Sequence, residues 1–149
     1  MIEKASELTA IDRVTESLYA SICFGKGGSP DLEQLRRLFI PESLLINNND
    51  DNPVIMSVDQ FIEAMDLQVS NGSLVALHET ELSGRTELFG KIAHRLSCYE
   101  ARLDPDTQDV SRGVNSIQFV KTNGVWRLSA LVWADESADN PIPSSLVNT

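Results

Sequence analysis

The chain has 149 residues, a formal net charge of −10 and a hydrophobic fraction of 42%. This length predicts a single domain that can bury most of its apolar surface. The negative charge argues against nucleic acid and anionic membranes as partners, because both are bound through clustered Lys and Arg side chains. No apolar run reaches the roughly 18 residues that a transmembrane helix needs, so no membrane span is expected.

The N-terminus and the two cysteines favour a cytoplasmic location. The first residues, MIEKASELTAIDRV, carry acidic side chains and lack the apolar core of a secretory signal. Cys23 and Cys98 lie far apart in the sequence, and we expect both to be free thiols. Adjacent residues such as His78 and Glu79 point to opposite sides of a strand, so no metal site is predicted. No cofactor is expected either.

The first half of the chain predicts three helices and one short strand. Residues 5–23 carry apolar side chains at spacings of three and four, which indicates an amphipathic helix. The stretch FGKGGSP then breaks this helix, and its glycines and lysine do not have the spacing of a phosphate-binding loop. Ser29-Pro30 predicts the start of a second helix, and SLLIN a short strand. Ser57 and Gln60 predict a capping box for the third helix.

The second half of the chain predicts four long strands. They cover about residues 74–87, 91–103, 112–121 and 125–133, and Asn123-Gly124 indicates a tight hairpin between the last two. We expect residues 136–149 to form a polar, extended or loose tail. Three helices followed by antiparallel strands predict an α+β fold, with the helices on one face of a curved sheet.

Two stretches carry a family resemblance. The sequence RGVNSIQFVKTNGVWRLSALVWADE, preceded by ELFGKIAHRLSCYEAR, resembles the nuclear transport factor 2-like superfamily, and Gly124-x-Trp126-Arg127-Leu128 is the most telling piece. The likeness covers about residues 8 to 135 and is greatest to uncharacterised bacterial members. It implies a cone-shaped, cystatin-like domain over residues 1–135: a curved antiparallel sheet wraps around the first helix and leaves a pocket at the wide end. It also implies a homodimer.

Members of this superfamily differ in function. They include ketosteroid isomerases, polyketide cyclases, scytalone dehydratase, limonene epoxide hydrolase and non-catalytic binding or assembly domains, so the fold alone does not choose among them. We favour a homodimeric domain that binds a small, largely apolar molecule in the cone. The alternatives are an isomerase, cyclase or dehydratase acting on a small hydrophobic carbonyl compound, and a non-catalytic assembly module that works through its sheet face.

The positions of the turns predict which side chains face the pocket. His78 is the acid–base candidate, because histidine titrates near neutrality, and a rim histidine is the alternative. Tyr99 is either a hydrogen-bond donor to a ligand oxyanion or a core tyrosine. Other predicted ligand contacts, each with packing as the alternative, are Tyr19, Thr80, Asn115 and Trp126. No aspartate of a strand is predicted in the pocket, so the carboxylate base of a ketosteroid isomerase is not expected.

The opposite face of the sheet is predicted to be convex and mixed in charge. The resemblance implies that such a face makes the dimer contact, and the residues expected there are His94, Glu100, Arg112, Gln118, Leu131 and Trp133. His94 and Glu100 lie roughly 20 Å apart on one strand, at about 3.3 Å per residue, so they cannot contact each other. A bulge in that strand would reverse the alternation and bring both inside.

Overall fold

The computed structural model describes residues 2–147, and it is an α+β fold built on a six-stranded mixed sheet. The sheet has the order β2-β1-β6-β5-β4-β3. The elements are α1 (Ile2–Ile22), α2 (Leu32–Arg37), β1 (Phe39–Asn47), β2 (Val54–Ser57), α3 (Val58–Ser70), β3 (His78–Phe89), β4 (Ile92–Arg102), β5 (Ser111–Thr122), β6 (Val125–Asp135) and α4 (Ser144–Val147).

The α+β class, the first three helices and the four long strands are as predicted from the sequence, whereas one edge of the sheet differs from the prediction. β1 is longer than the predicted strand and runs parallel to β6, which makes the sheet mixed. β2 was not predicted, because its four residues lie between a turn-rich loop and the third helix. They pair antiparallel with the end of β1 and form the edge of the sheet.

The helix starts follow side-chain capping. The capping box of α3 is present: Gln60 N–H donates to Ser57 Oγ at 3.1 Å, and Ser57 N–H donates to Gln60 Oε1 at 2.9 Å. The predicted start of α2 at Ser29 is wrong by about two residues. Asp31 caps that helix instead, because its carboxylate accepts the Gln34 N–H at 3.1 Å.

Two packed regions divide the interior. At the closed end of the cone, α1 packs against the inner face of the sheet around Ile11, Ile117, Phe119 and Leu128, all of which are fully buried. At the open end, a second cluster surrounds Tyr19, Met65, Leu77, Tyr99 and Ala101.

Two bulges reset the alternation of the strands. In β3, Glu81 pairs with Tyr99 and Ser83 pairs with Cys98, so Leu82 is an extra residue without a partner in the ladder. In β6, the partners of Gln118 and Phe119 are Ala130 and Leu128, so Ser129 is the extra residue. Each bulge turns the following side chains to the other face of the sheet.

The C-terminal segment folds back onto the outer face of the sheet. α4 lies against β3 and β4, where the Leu146 carbonyl accepts hydrogen bonds from the Ser83 hydroxyl and, at 3.4 Å, from the Cys98 thiol. The tail was expected to be extended or loose, and its residues 144–147 are instead held by these contacts. Within residues 2–147, no helix is both long and apolar enough to cross a membrane.

Candidate functional site

The open end of the cone contains a cavity of about 640 Å³ between α1, α3 and the inner face of the sheet. Its walls are mostly aliphatic and aromatic, with Phe61 and Trp133 packed edge to face at 6.1 Å between ring centroids. The polar or ionisable side chains in its wall are Tyr19, Asn47, Gln68, Ser73, Glu79, Tyr99, Ser111, Asn115 and Asp135. An apolar cavity with a few converging polar groups is typical of a small-molecule site.

Glu79 is the most perturbed carboxylate of the cavity. Burial raises its pKa, a hydrogen bond from the Asn115 amide lowers it by less, and the negative charge of Asp135 raises it; together these move the pKa from 4.5 to about 7. A carboxyl group with this pKa is partly protonated at neutral pH and can both accept and donate a proton.

Tyr99 and Asp135 form a second polar pair in the cavity wall. The Tyr99 hydroxyl donates to Asp135 Oδ1, while Asn49 donates to Asp135 Oδ2 at 3.2 Å. Burial, together with the charge of Asp135, raises the pKa of Tyr99, so its hydroxyl keeps its proton. Gly113 makes room for this tyrosine, because a Cβ at that position would overlap the Tyr99 hydroxyl.

Tyr19 joins the helix to the sheet through two hydrogen bonds. Its hydroxyl lies 2.6 Å from Ser97 Oγ and accepts the N–H of Asn115 Nδ2 at 3.0 Å. Burial raises the pKa of Tyr19 as well, so this phenol also remains protonated. The first helix thus contributes a buried phenol that contacts two adjacent strands.

Arg95 is a buried residue of β4, two positions before Ser97. Its guanidinium makes two hydrogen bonds to Glu81, at 3.0 and 2.7 Å, and one each to Asp12 and Thr86 at 2.8 Å. Burial lowers the pKa of the guanidinium, but the hydrogen bonds and charges of Glu81 and Asp12 outweigh it and raise that pKa. Gly84 lies directly under the guanidinium, where a Cβ would come within 2.5 Å of Arg95 Cζ.

The structure differs from the expected placement of His78 and Thr80. Both lie on the outer side of β3 and are exposed, and His78 borders a separate surface cleft near Cys23 and Arg102. Predicted pairing around Phe89-Gly90 set His78 opposite Ala101, but the turn is at Gly90-Lys91 and Leu82 bulges, so Glu79 takes that place. Glu79 therefore faces the cavity in place of the predicted histidine.

The positions of Trp126, Leu131 and Trp133 also differ from those predicted. Leu131 and Trp133 were predicted on the outer face, and both line the cavity because Ser129 bulges out of the ladder. Trp126 is buried at the closed end, away from the cavity, where its indole N–H donates to Glu7. A hydrogen bond from Lys121, followed by that contact with Trp126, lowers the pKa of Glu7.

The predicted parity of β4 and β5 agrees with the structure. Tyr99 and Asn115 face the cavity, while the charged and polar residues expected outside are on the outer face. There His94 lies 3.2 Å from Glu87, Arg112 lies 3.2 Å from Glu100, and Gln118 is exposed. A bulge in β4 would have reversed the alternation of its side chains, but the bulge is in β3. His94 and Glu100 therefore stay on the outer face.

Comparison with solved structures identifies the architecture. A protein of unknown function from Mycobacterium tuberculosis superposes with a TM-score of 0.73 at 15% identity, over 98% of this chain and 85% of that one. A cystatin-like protein of unknown function from Nostoc punctiforme gives 0.70 at 12% identity, over 90% and 94% of the two chains. An NTF-2 like protein of unknown function from Silicibacter pomeroyi gives 0.62 at 16%, over 89% and 98%.

The chain has the nuclear transport factor 2-like fold. The likeness to these structures is below 20% identity, so it shows the fold and not the function. A scan against family models found no match, and a search of curated proteins found none. The chemistry of the cavity is therefore the basis for assigning a role to this member of the nuclear transport factor 2-like fold.

Sequence reasoning missed four of the polar groups at the open end: Glu79, Glu81, Arg95 and Asp135. Arg95 could have been found, because the predicted parity of β4 already placed Ser97 and Tyr99 inside, and Arg95 shares that parity. A charged residue on a buried face needs an opposite charge, and the two glutamates of β3 were the nearest candidates. Nothing in the local sequence located the two bulges that turn Glu79 and Asp135 inward.

Proposed function

We propose that the cavity at the open end binds a small, largely apolar carbonyl compound and that Glu79 exchanges a proton with it. The observation that carries this proposal is a carboxyl group with a pKa of about 7 in the wall of an apolar cavity. A general base is most effective when its pKa lies near the working pH, and a buried carboxylate is a common way to reach that value.

The proton transfer needs only groups of this chain and the ligand. Ionised Glu79 takes a proton from the carbon next to the carbonyl group, the C–H electron pair forms a C=C bond, the C=O π pair moves to the oxygen, and an enolate forms. In a ligand whose C=C bond is conjugated with this enolate, return of the proton to the far carbon of that bond completes an isomerisation. The Tyr99 hydroxyl keeps its proton, so a ligand oxygen can compete with Asp135 for that donor.

Deuterium exchange tests this proposal without knowledge of the natural ligand. The wild-type protein is incubated in D2O with 2-tetralone and with phenylacetone, and deuterium at the carbon next to the carbonyl group is followed by NMR. We expect acceleration of at least about 100-fold over buffer, as general base catalysis provides. Glu79→Gln should reduce the rate to that of buffer.

His78→Ala is the matched control, because His78 neighbours Glu79 and lies on the other side of β3. We expect this variant to retain the wild-type exchange rate. Retention of the rate by Glu79→Gln, or its loss in His78→Ala, would contradict the assignment of Glu79. Absence of acceleration by the wild type, with ketones that raise its melting temperature, would contradict catalysis and leave a binding protein.

A homodimer through the outer face remains part of the proposal. The outer face carries the 45% exposed Leu44 next to Ala130 and Val132 of β6, and Gln118 lies exposed beside them. Charged residues such as Arg112 and His94 surround this apolar strip, as at the rim of many interfaces. Leu131 and Trp133 are no longer candidates for it, since they line the cavity.

A further inference from the structure

A line of buried side chains links the cavity to the surface of α1. It begins at Asn115 in the cavity wall and passes through Tyr19 and Ser97 to Glu81, with contacts of 3.0, 2.6 and 2.5 Å. Arg95 then connects Glu81 to Asp12, whose side chain is half exposed. All of the residues from Tyr19 to Arg95 are buried or largely buried, so each polar atom must be matched with a suitable partner.

The direction of every hydrogen bond in this line follows from its charged end. Glu81 is ionised because Arg95 binds both of its oxygens, and an ionised carboxylate only accepts. Ser97 must therefore donate to Glu81, so its oxygen accepts from Tyr19. The Tyr19 proton is then committed to Ser97, and the remaining lone pairs of the phenol can only accept. Hence the atom that Asn115 presents to Tyr19 must be its nitrogen and not its oxygen.

This sequence of donors and acceptors determines which atom of the Asn115 amide faces Glu79. The Asn115 nitrogen has two hydrogens, and one of them serves Tyr19; the other is left for Glu79, which lines the same cavity and whose pKa the Asn115 amide lowers. We propose that Ser97, supported by Glu81 and Arg95, is a positioning residue that fixes the hydrogen-bond direction at Tyr19, so that Asn115 presents an N–H to Glu79. This inference rests on the proposed role of Glu79 and adds the groups that prepare its carboxylate as a base.

The other groups around Glu79 do not supply this donor. Tyr19 faces Glu79 from α1, and the thiol of Cys23, directly after α1, hydrogen-bonds to the Glu79 backbone at 3.3 and 3.4 Å. Tyr99 from β4 donates to Asp135, and Asp135 from β6 is an anion that disfavours a second charge. Glu81 follows Glu79 by two residues on the same face of β3 and is bound by Arg95. Among the described residues, Asn115 is thus the side chain that stabilises ionised Glu79.

Ser97→Ala tests the proposal through the titration of Glu79 in the protein without ligand. The freed Tyr19 proton needs a new acceptor, and the nearby one is the Asn115 oxygen, so the amide turns over. Glu79 then loses a donor and faces an oxygen, and its pKa should rise by about one unit. The side-chain carboxyl resonance of Glu79 is followed by 13C NMR against pH and is assigned with Glu79→Gln. Ser97→Thr keeps the hydroxyl and should restore the wild-type titration.

A double variant separates positioning from simple loss of packing. If the effect of Ser97→Ala acts through the Tyr19 proton, it must vanish when that proton is absent. We expect the Glu79 titration of Tyr19→Phe/Ser97→Ala to equal that of Tyr19→Phe alone. A shift that persists in the double variant, or a Ser97→Ala protein in which Glu79 titrates as in the wild type, would overturn the proposal.

The proposed catalytic role of Glu79 and the proposed positioning role of Ser97 can be refuted independently of each other. The titration is measured without substrate, so a protein that shows no deuterium exchange but a Ser97-dependent Glu79 titration refutes the catalytic role and retains the positioning network. A protein that exchanges deuterium through Glu79 but shows no Ser97 dependence retains the catalytic role and refutes the network.

Discussion

The closed and open ends of the cone are built from the same strands but differ in packing and in the charge of their inward side chains. At the closed end, the inner face carries Phe119 and Leu128, both fully buried, and its polar contacts are the hydrogen bonds of Glu7 with Lys121 and Trp126. At the open end, the same face carries charged and phenolic side chains around a cavity of about 640 Å³. Close packing stabilises a fold, whereas a cavity and a buried carboxylate both lower the free energy of unfolding.

The difference arises from two extra residues. Between the bulges at Leu82 and Ser129 and the turns at 90–91 and 123–124, the inward side chains are mostly apolar, with Arg95 as a buried charge among them. Beyond the bulges, toward the open end, Glu79, Glu81 and Asp135 turn inward. A charge placed there costs free energy of folding, so the open end has been built at the expense of stability. Substitutions of a packed side chain at the closed end and of a buried charge at the open end should therefore change the stability in opposite directions.

Phe119→Ala should give the largest effect and lower the stability only. Phe119 is fully buried at the closed end, and replacing such a phenylalanine by alanine typically costs about 3 to 5 kcal/mol. The free energy of unfolding is measured by urea denaturation, and the Glu79 titration by 13C NMR. We expect that titration to stay as in the wild type, since Phe119 is not among the cavity residues. A changed Glu79 pKa would show that the two ends are coupled.

Gly113→Ala should disturb the open end by steric overlap. A Cβ on Gly113 would collide with the Tyr99 hydroxyl and come within 2.5 Å of the Ala134 carbonyl oxygen, which is backbone and cannot move aside easily. We expect a loss of up to about 3 kcal/mol and displacement of Tyr99 from Asp135. Urea denaturation measures the first and the Tyr99 ring resonances the second.

Gly25→Ala is the control for that substitution, because the space around its Cβ is open. It should change the stability by less than about 0.5 kcal/mol. Equal stability losses in both glycine variants would show that the Tyr99 contact is not the cause.

Glu79→Gln should act in the opposite direction and raise the stability at alkaline pH. The pKa of Glu79 is about 7 in the folded protein against 4.5 without the fold, so the folded state binds its proton more tightly. The stabilisation from that proton is complete below pH 4.5 and is lost as the pH rises through about 7. The uncharged glutamine avoids this loss, and we expect a gain of about 2 kcal/mol above about pH 8.

Two features make that measurement decisive. The gain should shrink toward zero below about pH 4.5, where Glu79 becomes protonated in the unfolded chain as well as in the folded one. Glu87→Gln, at an exposed site on the same strand, should change the stability by less than about 0.5 kcal/mol at either pH. A gain that does not depend on pH would mean that burial of the Glu79 charge is not what destabilises the open end.

The sequence alone determined the helices, the long strands and the faces of β4 and β5. These features rest on local rules: three-and-four spacing in α1, the capping box at Ser57 and the Asn123-Gly124 turn each act within a few residues. The nuclear transport factor 2-like resemblance added the topology. From these rules, Tyr19, Tyr99 and Asn115 were correctly predicted to face the pocket.

Only the tertiary structure decided which carboxylates enter the cavity. An extra residue in a strand leaves its neighbours' local preferences almost unchanged, yet it exchanges the two faces of everything beyond it. For that reason Glu79 replaced His78 in the cavity wall, and Leu131 and Trp133, which were predicted on the outer face, lie inside. The physical cause is the bending of long strands around α1, which is a property of the whole sheet and not of any short stretch of residues.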